Sequence, residues 1–317
     1  MSIRAEREDQ VDYEETARLA NRVFAAMKIS FEARQLQWFY ERCFSQGAAV
    51  IALRHNDLKV GQMAMVRQTI MTNGGAEAAV QLVDLFVLPE HRGRQSLEQL
   101  FGAVETECLA QDIRFAIGMP NAAATGVNEF FFKLQPFLRM PLCMGVALPF
   151  ELPWSARRTP LSYRFDRTDR SRSLELFARF RTAPDVNGQP WDETSLFDRL
   201  CGYKQRYGVH ALDDLLLISS PRVSRGISYT LLCGFLTSPG TTADPGTMRA
   251  LVHSACGMWG RRVFAYAGVN SGLASLPGIR LPDSIRPSPL LVQLRDFKPD
   301  REPLRLDRFQ LLDFDFA

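Results

Sequence analysis

The chain has 317 residues, of which 46% are hydrophobic and 23% charged, and its formal net charge is +3. This length is typical of two domains and this composition of a globular protein, which excludes collagen-like, coiled-coil and intrinsically disordered chains. The small net charge gives no support for a nucleic-acid partner. Only five of the 38 basic residues are Lys. A GC-rich coding bias accounts for such an excess of Arg, although Arg also recognises phosphate better than Lys does.

Several classes of site and location are not expected from this sequence. No apolar stretch approaches the roughly 18 residues of a membrane helix. The first ten residues are charged and lack the apolar centre of a signal peptide. We therefore expect a cytoplasmic protein without a membrane span. The six Cys form no C-x-x-C pair and the four His are scattered, so neither a disulfide framework nor a metal site is expected.

The first half of the sequence predicts a mixture of helices and strands. Helical spacing of apolar residues indicates the helices, and shorter apolar runs bounded by turn residues indicate the strands. In chain order we predict a strand at 3–6, helices at 13–26 and 31–44, strands at 48–54, 60–71 and 78–88, a helix at 96–111, a strand at 113–119, a helix at 121–134 and a strand at 143–148. The sequence Asn73-Gly74-Gly75 predicts a hairpin turn, and Ser96 is the expected N-cap of its helix.

The second half repeats this order after a Pro-containing linker at about 149–160. We predict helices at 174–181 and 194–207, strands at 214–219 and 227–237, a helix at 247–259, and strands at 262–269, 290–295 and 310–316. The shared order indicates a structural duplication. The expected fold class is therefore α+β, with two related domains over residues 1–152 and 153–317, each a mostly antiparallel mixed sheet flanked by helices.

The clearest chemical signal lies between Val83 and Leu97. A strand runs into a short loop rich in Arg and Gly, and the loop opens a helix. This arrangement aims backbone N–H groups and the positive end of the helix at one point, which suits a pyrophosphate. Arg92 and Arg94 would add charge-assisted contacts to the same group.

This stretch resembles the V-x-P-x-x-R-G-x-G-x-G/A signature of the GNAT superfamily of acyl-CoA-dependent N-acyltransferases, in its tandem form. The matching residues are Val87, Pro89, Arg92 and Gly93, and the two later glycines of the signature are replaced by Gln95 and Leu97. A side chain at either place obstructs close approach of a pyrophosphate to the backbone. The resemblance extends over about residues 45–148, and in the second half it rests on element order and on the end of the chain.

A second segment, residues 128–137, resembles the later helix of the same family. There Phe132 stands where many relatives have a Tyr that protonates the departing thiolate. Phe132 has no hydroxyl and cannot donate a proton. In the second half, residues 238–246 are the counterpart of the Arg/Gly loop, but they contain no Arg.

The resemblance implies transfer of an acyl group from acetyl-CoA or another acyl-CoA, as co-substrate, to an amine of a small molecule. A base takes a proton from the ammonium group, and strand N–H groups polarise the thioester carbonyl. The catalytic candidates are Asp84 and Glu90. The candidates for binding the acyl-CoA are Phe86, Val87, Leu88, Arg92, Gly93, Arg94, Gln95, Ser96, Asn121 and Phe132. No metal is expected in this chemistry.

Two other functions remain open from the sequence. The replacement of family residues by Gln95, Leu97 and Phe132 favours a non-catalytic protein with an acyl-CoA-binding or regulatory role. The Arg-rich stretch from Arg157 to Arg172 favours an aminoacyl-tRNA-dependent transferase, against which the low net charge argues. The acceptor, the acyl chain length, the catalytic half and the oligomeric state are not determined by the sequence.

Overall fold

The computed structural model of the chain describes residues 3–27, 30–147, 159–202, 205–224, 226–286 and 290–314. Most of the predicted linker, with Arg157 and Arg158, lies outside these residues. The predicted domain boundary between residues 152 and 153 also lies outside them. The end of the last predicted strand, beyond residue 314, lies outside them as well.

The strands and α-helices of the first half largely follow the predicted order. They are β1 (Ile3–Arg7), α1 (Tyr13–Phe24), α2 (Ala33–Glu41), β2 (Ala48–His55), β3 (Leu58–Thr72), β4 (Gly75–Val87), α3 (Arg94–Ala110), β5 (Phe115–Gly118), α4 (Ala122–Phe132), β6 (Gln135–Arg139) and β7 (Leu142–Val146). Helix α1 begins after Asp12, whose side chain accepts a hydrogen bond from the N–H of Glu15. A capped start and an apolar face explain why this segment is helical.

The elements of the second half are β8 (Leu161–Arg164), α5 (Arg170–Ala178), α6 (Glu193–Leu200), β9 (Gly208–Leu212), β10 (Leu215–Ser224), β11 (Ile227–Thr237), α7 (Pro245–Trp259), β12 (Val263–Asn270), β13 (Ile279–Arg280), β14 (Leu291–Asp296) and β15 (Arg308–Gln310). Strands β6, β8, β9 and β13 were not predicted, because runs of two to five residues carry little periodicity. Of the last predicted strand, residues 310–316, only Gln310 lies in a strand, as the final residue of β15, and a 3-10 helix (Leu311–Asp313) follows.

The first sheet has the strand order β1-β2-β3-β4-β5-β14-β6. Its neighbours are antiparallel except β4 and β5, which are parallel. Strands β3 and β4 form the predicted hairpin, with Thr72 opposite Gly75. The φ angle of Gly75 is 110°, a conformation that favours glycine.

The second sheet repeats this pattern in the order β13-β7-β12-β11-β10-β9-β8. When this order is read from β8, it corresponds strand by strand to the order of the first sheet read from β1. Strands β11 and β12 are parallel, as β4 and β5 are, and the other neighbours in the sheet are antiparallel. The predicted α+β fold with two mostly antiparallel mixed sheets is therefore confirmed.

Two strands are exchanged between the halves. Strand β14 comes from the second half of the chain but lies in the first sheet, between β5 and β6. Strand β7 comes from the first half but lies in the second sheet, between β12 and β13. Apolar periodicity identifies a strand without identifying its partner, so the sequence did not indicate this exchange.

The two halves also share apolar packing. One buried cluster contains side chains from α2, β4 and β5 together with side chains from α5, α6, β10 and the end of the chain. The rings of Phe44 and Trp191 lie 5.9 Å apart, centroid to centroid. Met71 and Gly188 exchange backbone hydrogen bonds of 2.8 and 3.0 Å. The halves are thus joined by both packing and backbone pairing.

Candidate functional site

The first sheet opens between β4 and β5. The two strands pair in parallel from Ala79 opposite Phe115 to Leu82 opposite Gly118. Beyond Leu82, β4 continues to pair with β3 on its other side. Among the described strands, none pairs with the edge of residues 83–87 that faces β5. Backbone N–H and C=O groups along this edge are therefore placed to bind an extended ligand.

A β-bulge places Asp84 at this opening. Ala64 lies opposite Val83 and Gln62 opposite Phe86, so β4 contains one more residue than β3 between these pairs. Asp84 lies in the bulge with a φ angle of 52°, a conformation that Asp tolerates better than most residues. A bulge re-aims side chains locally, and the Asp84 carboxylate is contacted by α2: the hydroxyl of Tyr40 donates to its Oδ2 at 2.8 Å.

Asp84 also lines a cavity of about 120 Å³ beside α2. The other lining residues are Phe31, Glu32, Gln35, Leu36, Trp38, Phe39 and Gln205. Burial raises the pKa of Asp84, and the hydrogen bond from Tyr40 opposes this rise. A carboxylate with a raised pKa is a better proton acceptor than an ordinary exposed one. The site therefore combines a candidate base with a cavity that can hold a small group.

The open edge of β4 leads to the N-terminus of α3. Gly93 is the N-cap and forms no side-chain cap hydrogen bond. The first N–H groups of a helix, here those of residues 94–96, have no acceptor within the helix, whereas the N–H of Leu97 bonds to the carbonyl of Gly93 at 3.3 Å. This exposed start of a 17-residue helix is the predicted anion-binding point.

Ser96 is not the N-cap of this helix, and that prediction was wrong. The helix begins two residues earlier, at Arg94, and Ser96 lies buried in its first turn. The hydroxyl of Ser96 donates to the carbonyl of His91 at 2.6 Å. Ser96 therefore stabilises the loop that precedes the helix rather than capping the helix.

The predicted phosphate contacts have partners within the protein. Nε of Arg92 donates to the carbonyl of Val87 at 3.0 Å, which ties the loop to the end of β4. Arg94 forms an exposed ion pair with Glu98, 2.7 Å from Nε to Oε1. Gln95 is exposed on the first turn of α3. All three side chains lie beside the start of the helix, and their binding to acyl-CoA stays a prediction.

Phe86 and Val87 form the buried end of β4, and Leu88, also buried, continues the pairing with β3. The N–H of Leu88 donates to the carbonyl of Val60 at 2.8 Å, and the side chains of Phe86 and Val87 are also buried. Gly61, which the sequence did not single out, lies across from them. A Cβ atom at Gly61 would lie 2.6 Å from the carbonyl oxygen of Phe86, so close packing of β3 on β4 requires glycine there.

Glu90 is placed less favourably than Asp84 as a base. It forms an exposed ion pair with Arg22, whose Nη2 lies 2.8 Å from its Oε1. A hydrogen bond from its own backbone N–H, together with Arg22, lowers the pKa of Glu90. A carboxylate with a lowered pKa accepts a proton less readily near neutral pH.

Asn121 and Phe132 lie at the two ends of α4. The side chain of Asn121 accepts hydrogen bonds from the N–H groups of Ala123 and Ala124, so it is the N-cap of the helix. Phe132 is buried, and its ring lies 5.5 Å from that of Phe101 and 6.1 Å from that of Phe297, between centroids. Both residues thus have structural contacts, and a contact of either with acyl-CoA stays a prediction.

The equivalent opening in the second sheet is filled by the chain itself. Strands β11 and β12 pair in parallel only from Thr230 to Leu232. Strand β15 then pairs with β12, with Gln310 opposite Gly268. The Gln310 side chain accepts a hydrogen bond from the N–H of Phe235 at 2.8 Å and donates to its carbonyl at 3.0 Å. These contacts occupy the edge that is open in the first sheet.

The helix that follows this second opening begins with a carboxylate. Asp244 is the N-cap of α7, and its side chain accepts hydrogen bonds from the N–H groups of Gly246 and Thr247. At the same position of the first half, α3 has Gly93 and no side-chain cap. A carboxylate at this place both uses the N–H groups and repels a second anion.

Within the described ranges, no three His, Cys, Asp or Glu side chains are grouped so as to hold a metal ion. In the same part of the chain, the helices are too short or too polar to cross a membrane.

Comparison with known proteins finds a family match in the first part of the chain. Residues 3–129 match the family model described as an acetyltransferase (GNAT) domain. No curated protein matches the sequence. Among solved structures, a probable N-acyltransferase from Enterococcus faecalis V583 aligns over 93% of this chain and 73% of its own, with a TM-score of 0.64 and 10% identity.

Two other solved structures extend this likeness. A GCN5-related N-acetyltransferase from Kribbella flavida aligns over 94% of this chain and 72% of its own, with a TM-score of 0.62 and 14% identity. A tandem GNAT protein from the clavulanic acid biosynthesis pathway aligns over 93% of this chain and 98% of its own, with a TM-score of 0.56 and 10% identity. At such identities these likenesses concern the fold. Residues 3–129 are therefore similar to a GNAT acetyltransferase domain, and most of the chain shares the fold of these solved structures, a tandem GNAT protein among them.

Proposed function

We propose that this protein transfers an acyl group from acyl-CoA to an amine of a small molecule, and that both substrates bind at the first sheet. The observation that carries the proposal is the open edge of β4 beyond Leu82, which runs from the Asp84 bulge to the uncapped start of α3. The match of residues 3–129 to a GNAT acetyltransferase domain supports the reaction class. The donor in this proposal is acetyl-CoA or an acyl-CoA with a longer acyl group.

The donor lies along β4 in this proposal. Its pyrophosphate accepts hydrogen bonds from the first N–H groups of α3, beside Arg92 and Arg94. Its pantetheine extends along residues 83–87, whose unpaired backbone groups bond to its amides. A backbone N–H of the bulge polarises the thioester carbonyl as negative charge develops on its oxygen.

The acceptor amine enters the cavity beside α2. The Asp84 carboxylate takes a proton from the ammonium group, and the free amine attacks the carbonyl carbon of the thioester. The C–N bond forms and the C–S bond breaks, the nitrogen gives its second proton to water, and CoA leaves as a thiolate that water protonates. Phe132 has no proton to donate, so this protonation does not depend on it.

The second half does not hold a donor in this proposal. Gln310 and its neighbours fill the opening between β11 and β12. The Asp244 carboxylate caps the helix where a pyrophosphate would lie. We therefore expect one acyl-CoA per chain, bound at the first sheet.

The test is binding of acetyl-CoA and longer acyl-CoAs, followed by thermal unfolding and calorimetric titration. A ligand at about 100 times its Kd stabilises the folded state by about 2.7 kcal/mol. We expect this stabilisation with a stoichiometry of one. Stabilisation without thiol release across a panel of primary amines favours the non-catalytic binding protein instead. No stabilisation by any acyl-CoA contradicts the proposal.

A pair of variants at Gly93 tests the place of the donor. Gly93 has extended backbone angles, and a Cβ atom there would meet nothing within 4 Å, so a side chain fits without strain. Gly93→Asp gives α3 the same capping carboxylate that Asp244 gives α7. We expect it to weaken acyl-CoA binding by at least about fivefold, since like charges about 4 Å apart repel by about 1–4 kcal/mol. Gly93→Ala, the matched control, should bind nearly as the natural chain does.

A further inference from the structure

Asp84 is the last member of a row of polar side chains that begins at the buried Lys59. The hydroxyl of Tyr40 lies 2.8 Å from Asp84 Oδ2, and Gln62 Nε2 lies 3.0 Å from the same hydroxyl. Gln62 Oε1 lies 3.4 Å from the hydroxyl of Thr16. The Thr16 hydroxyl in turn lies 3.0 Å from Nζ of Lys59.

Every hydrogen bond of this row points the same way. The Lys59 ammonium donates to Thr16, and Thr16 donates to the Gln62 carbonyl. The Gln62 amide then donates to Tyr40, whose hydroxyl donates to the Asp84 carboxylate. The row therefore has a cation at one end and a carboxylate at the other. Hydrogen bonds aligned in this way polarise one another.

The cationic end of the row is buried. The side chain of Lys59 is 0% exposed, and its Nζ forms an ion pair of 2.7 Å with Glu8, which is 4% exposed. Arg54 also contacts Glu8, at 3.2 Å. A buried charge is costly unless it is paired and hydrogen-bonded. The pairing with Glu8 leaves Lys59 with a further hydrogen atom, which it donates to Thr16.

We propose that Lys59, Thr16, Gln62 and Tyr40 form a positioning network that fixes the orientation of the Asp84 carboxylate and favours its ionised form. Tyr40 holds Oδ2, which leaves Oδ1 to face the acceptor. The four act through Asp84 in this proposal, so they are positioning residues. The inference rests on the proposed function only in giving Asp84 the role of base.

The network does not conduct protons. A row of hydroxyl groups can pass a proton by exchanging donors and acceptors, but the Gln62 amide gives its N–H proton only by forming an unfavourable tautomer. The proton that Asp84 takes from the amine must therefore leave through the cavity. The effect of Lys59 on Asp84 is electrostatic, through the aligned hydrogen bonds.

Two other titratable groups face this end of the network. Tyr13, on α1, has its ring centroid 6.1 Å from that of Tyr40, and its hydroxyl donates to Glu41 at 3.1 Å. Glu32, at the start of α2, lines the same cavity as Asp84. On β3, Gln62 is linked to Asp84 through the hydroxyl of Tyr40, and its amide group does not titrate. Tyr13 therefore supplies a close control that lies outside the network.

The test is a pH titration of the Asp84 side-chain carboxyl carbon by NMR in the full chain without ligand, assigned with Asp84→Asn. Tyr40→Phe removes the direct hydrogen bond. We expect the dissociation constant of the Asp84 proton to fall by about tenfold, the loss expected for one hydrogen bond to a charged group. Thr16→Val keeps the side-chain shape but breaks the link to Lys59, and a fall of about two- to threefold is expected.

The control variant is Tyr13→Phe, which deletes a neighbouring hydroxyl of the same kind and should leave the titration within about twofold of the natural chain. An unchanged titration in Tyr40→Phe overturns the proposal. A Thr16→Val titration that coincides with that of the natural chain also overturns it, whatever Tyr40→Phe shows. The measurement needs no acyl-CoA, so a failure here is separate from a failure of acyl-CoA binding, which would refute the proposed function.

Discussion

Gln310 gives the sharpest test of the filled opening in the second sheet. Its side chain is fully buried and accepts hydrogen bonds from the N–H of Phe235, at 2.8 Å, and from the hydroxyl of Tyr266, at 3.0 Å. It also donates to the carbonyl of Phe235. Gln310→Leu removes these bonds while keeping a side chain of similar size, and it leaves two buried donors without this acceptor.

The magnitude follows from those two donors. A buried donor left unsatisfied costs about 1–3 kcal/mol, so the free energy of unfolding should fall by about 2–6 kcal/mol. The Phe235 carbonyl adds little to this loss, because it also accepts from Asn270 Nδ2 at 3.0 Å. Equilibrium unfolding in urea measures the change.

The matched control is Gln37→Leu on the exposed face of α2, where the side chain donates a hydrogen bond to Glu41. It should change the free energy of unfolding by no more than about 0.5 kcal/mol. If the free energy of unfolding of Gln310→Leu falls by less than about 1 kcal/mol, the contacts of Gln310 do not hold the opening between β11 and β12 closed. Acyl-CoA should still stabilise the folded Gln310→Leu variant, since the proposed donor site lies in the first sheet.

Two further predictions concern buried side chains. Burial lowers the pKa of His210 from about 6.5 to about 4, so the unfolded chain binds a proton in this range that the native chain does not. His210 should therefore remove about 3 kcal/mol of stability as the pH falls from 6.5 to 4, and urea unfolding of His210→Gln should show a flatter pH dependence over this window. Phe132→Tyr places a hydroxyl among the rings of Phe101 and Phe297. We expect it to lower the free energy of unfolding by about 1–3 kcal/mol without raising the rate of thiol release. A faster release of thiol would show that the hydroxyl reaches the donor.

The sequence predicted the elements of the first sheet well because their signals are local. The hairpin at Asn73 and Gly74, the capped helix after Asn121 and the strand into the Arg/Gly loop each depend on neighbouring residues. The start of α3 was placed two residues late, because Ser is a common N-cap. Here the Ser96 hydroxyl bonds backwards to His91 instead.

The surroundings of Asp84 could not be predicted in the same way. Asp84 was identified from its place on the strand before the loop, but the bulge depends on register with β3. Along the chain, Tyr40 is 44 residues from Asp84, and Gln62 is 22 residues from Tyr40. In sequence, Tyr40 reads as one more apolar position of α2. The hydrogen bond that gives it another role exists only in the folded chain.

The exchange of strands gives the second half a part in the first site even though its own opening is filled. Strand β14 completes the first sheet beside β5, and Gln293 on it donates to the carbonyl of Thr125 and to Glu129, both on α4. Helix α4 follows β5 directly, so the same contacts hold the side of the opening that faces β4. The second half also supplies Gln205 to the cavity beside Asp84. A single donor site built from both halves is therefore consistent with a duplicated fold in which only one opening remains free.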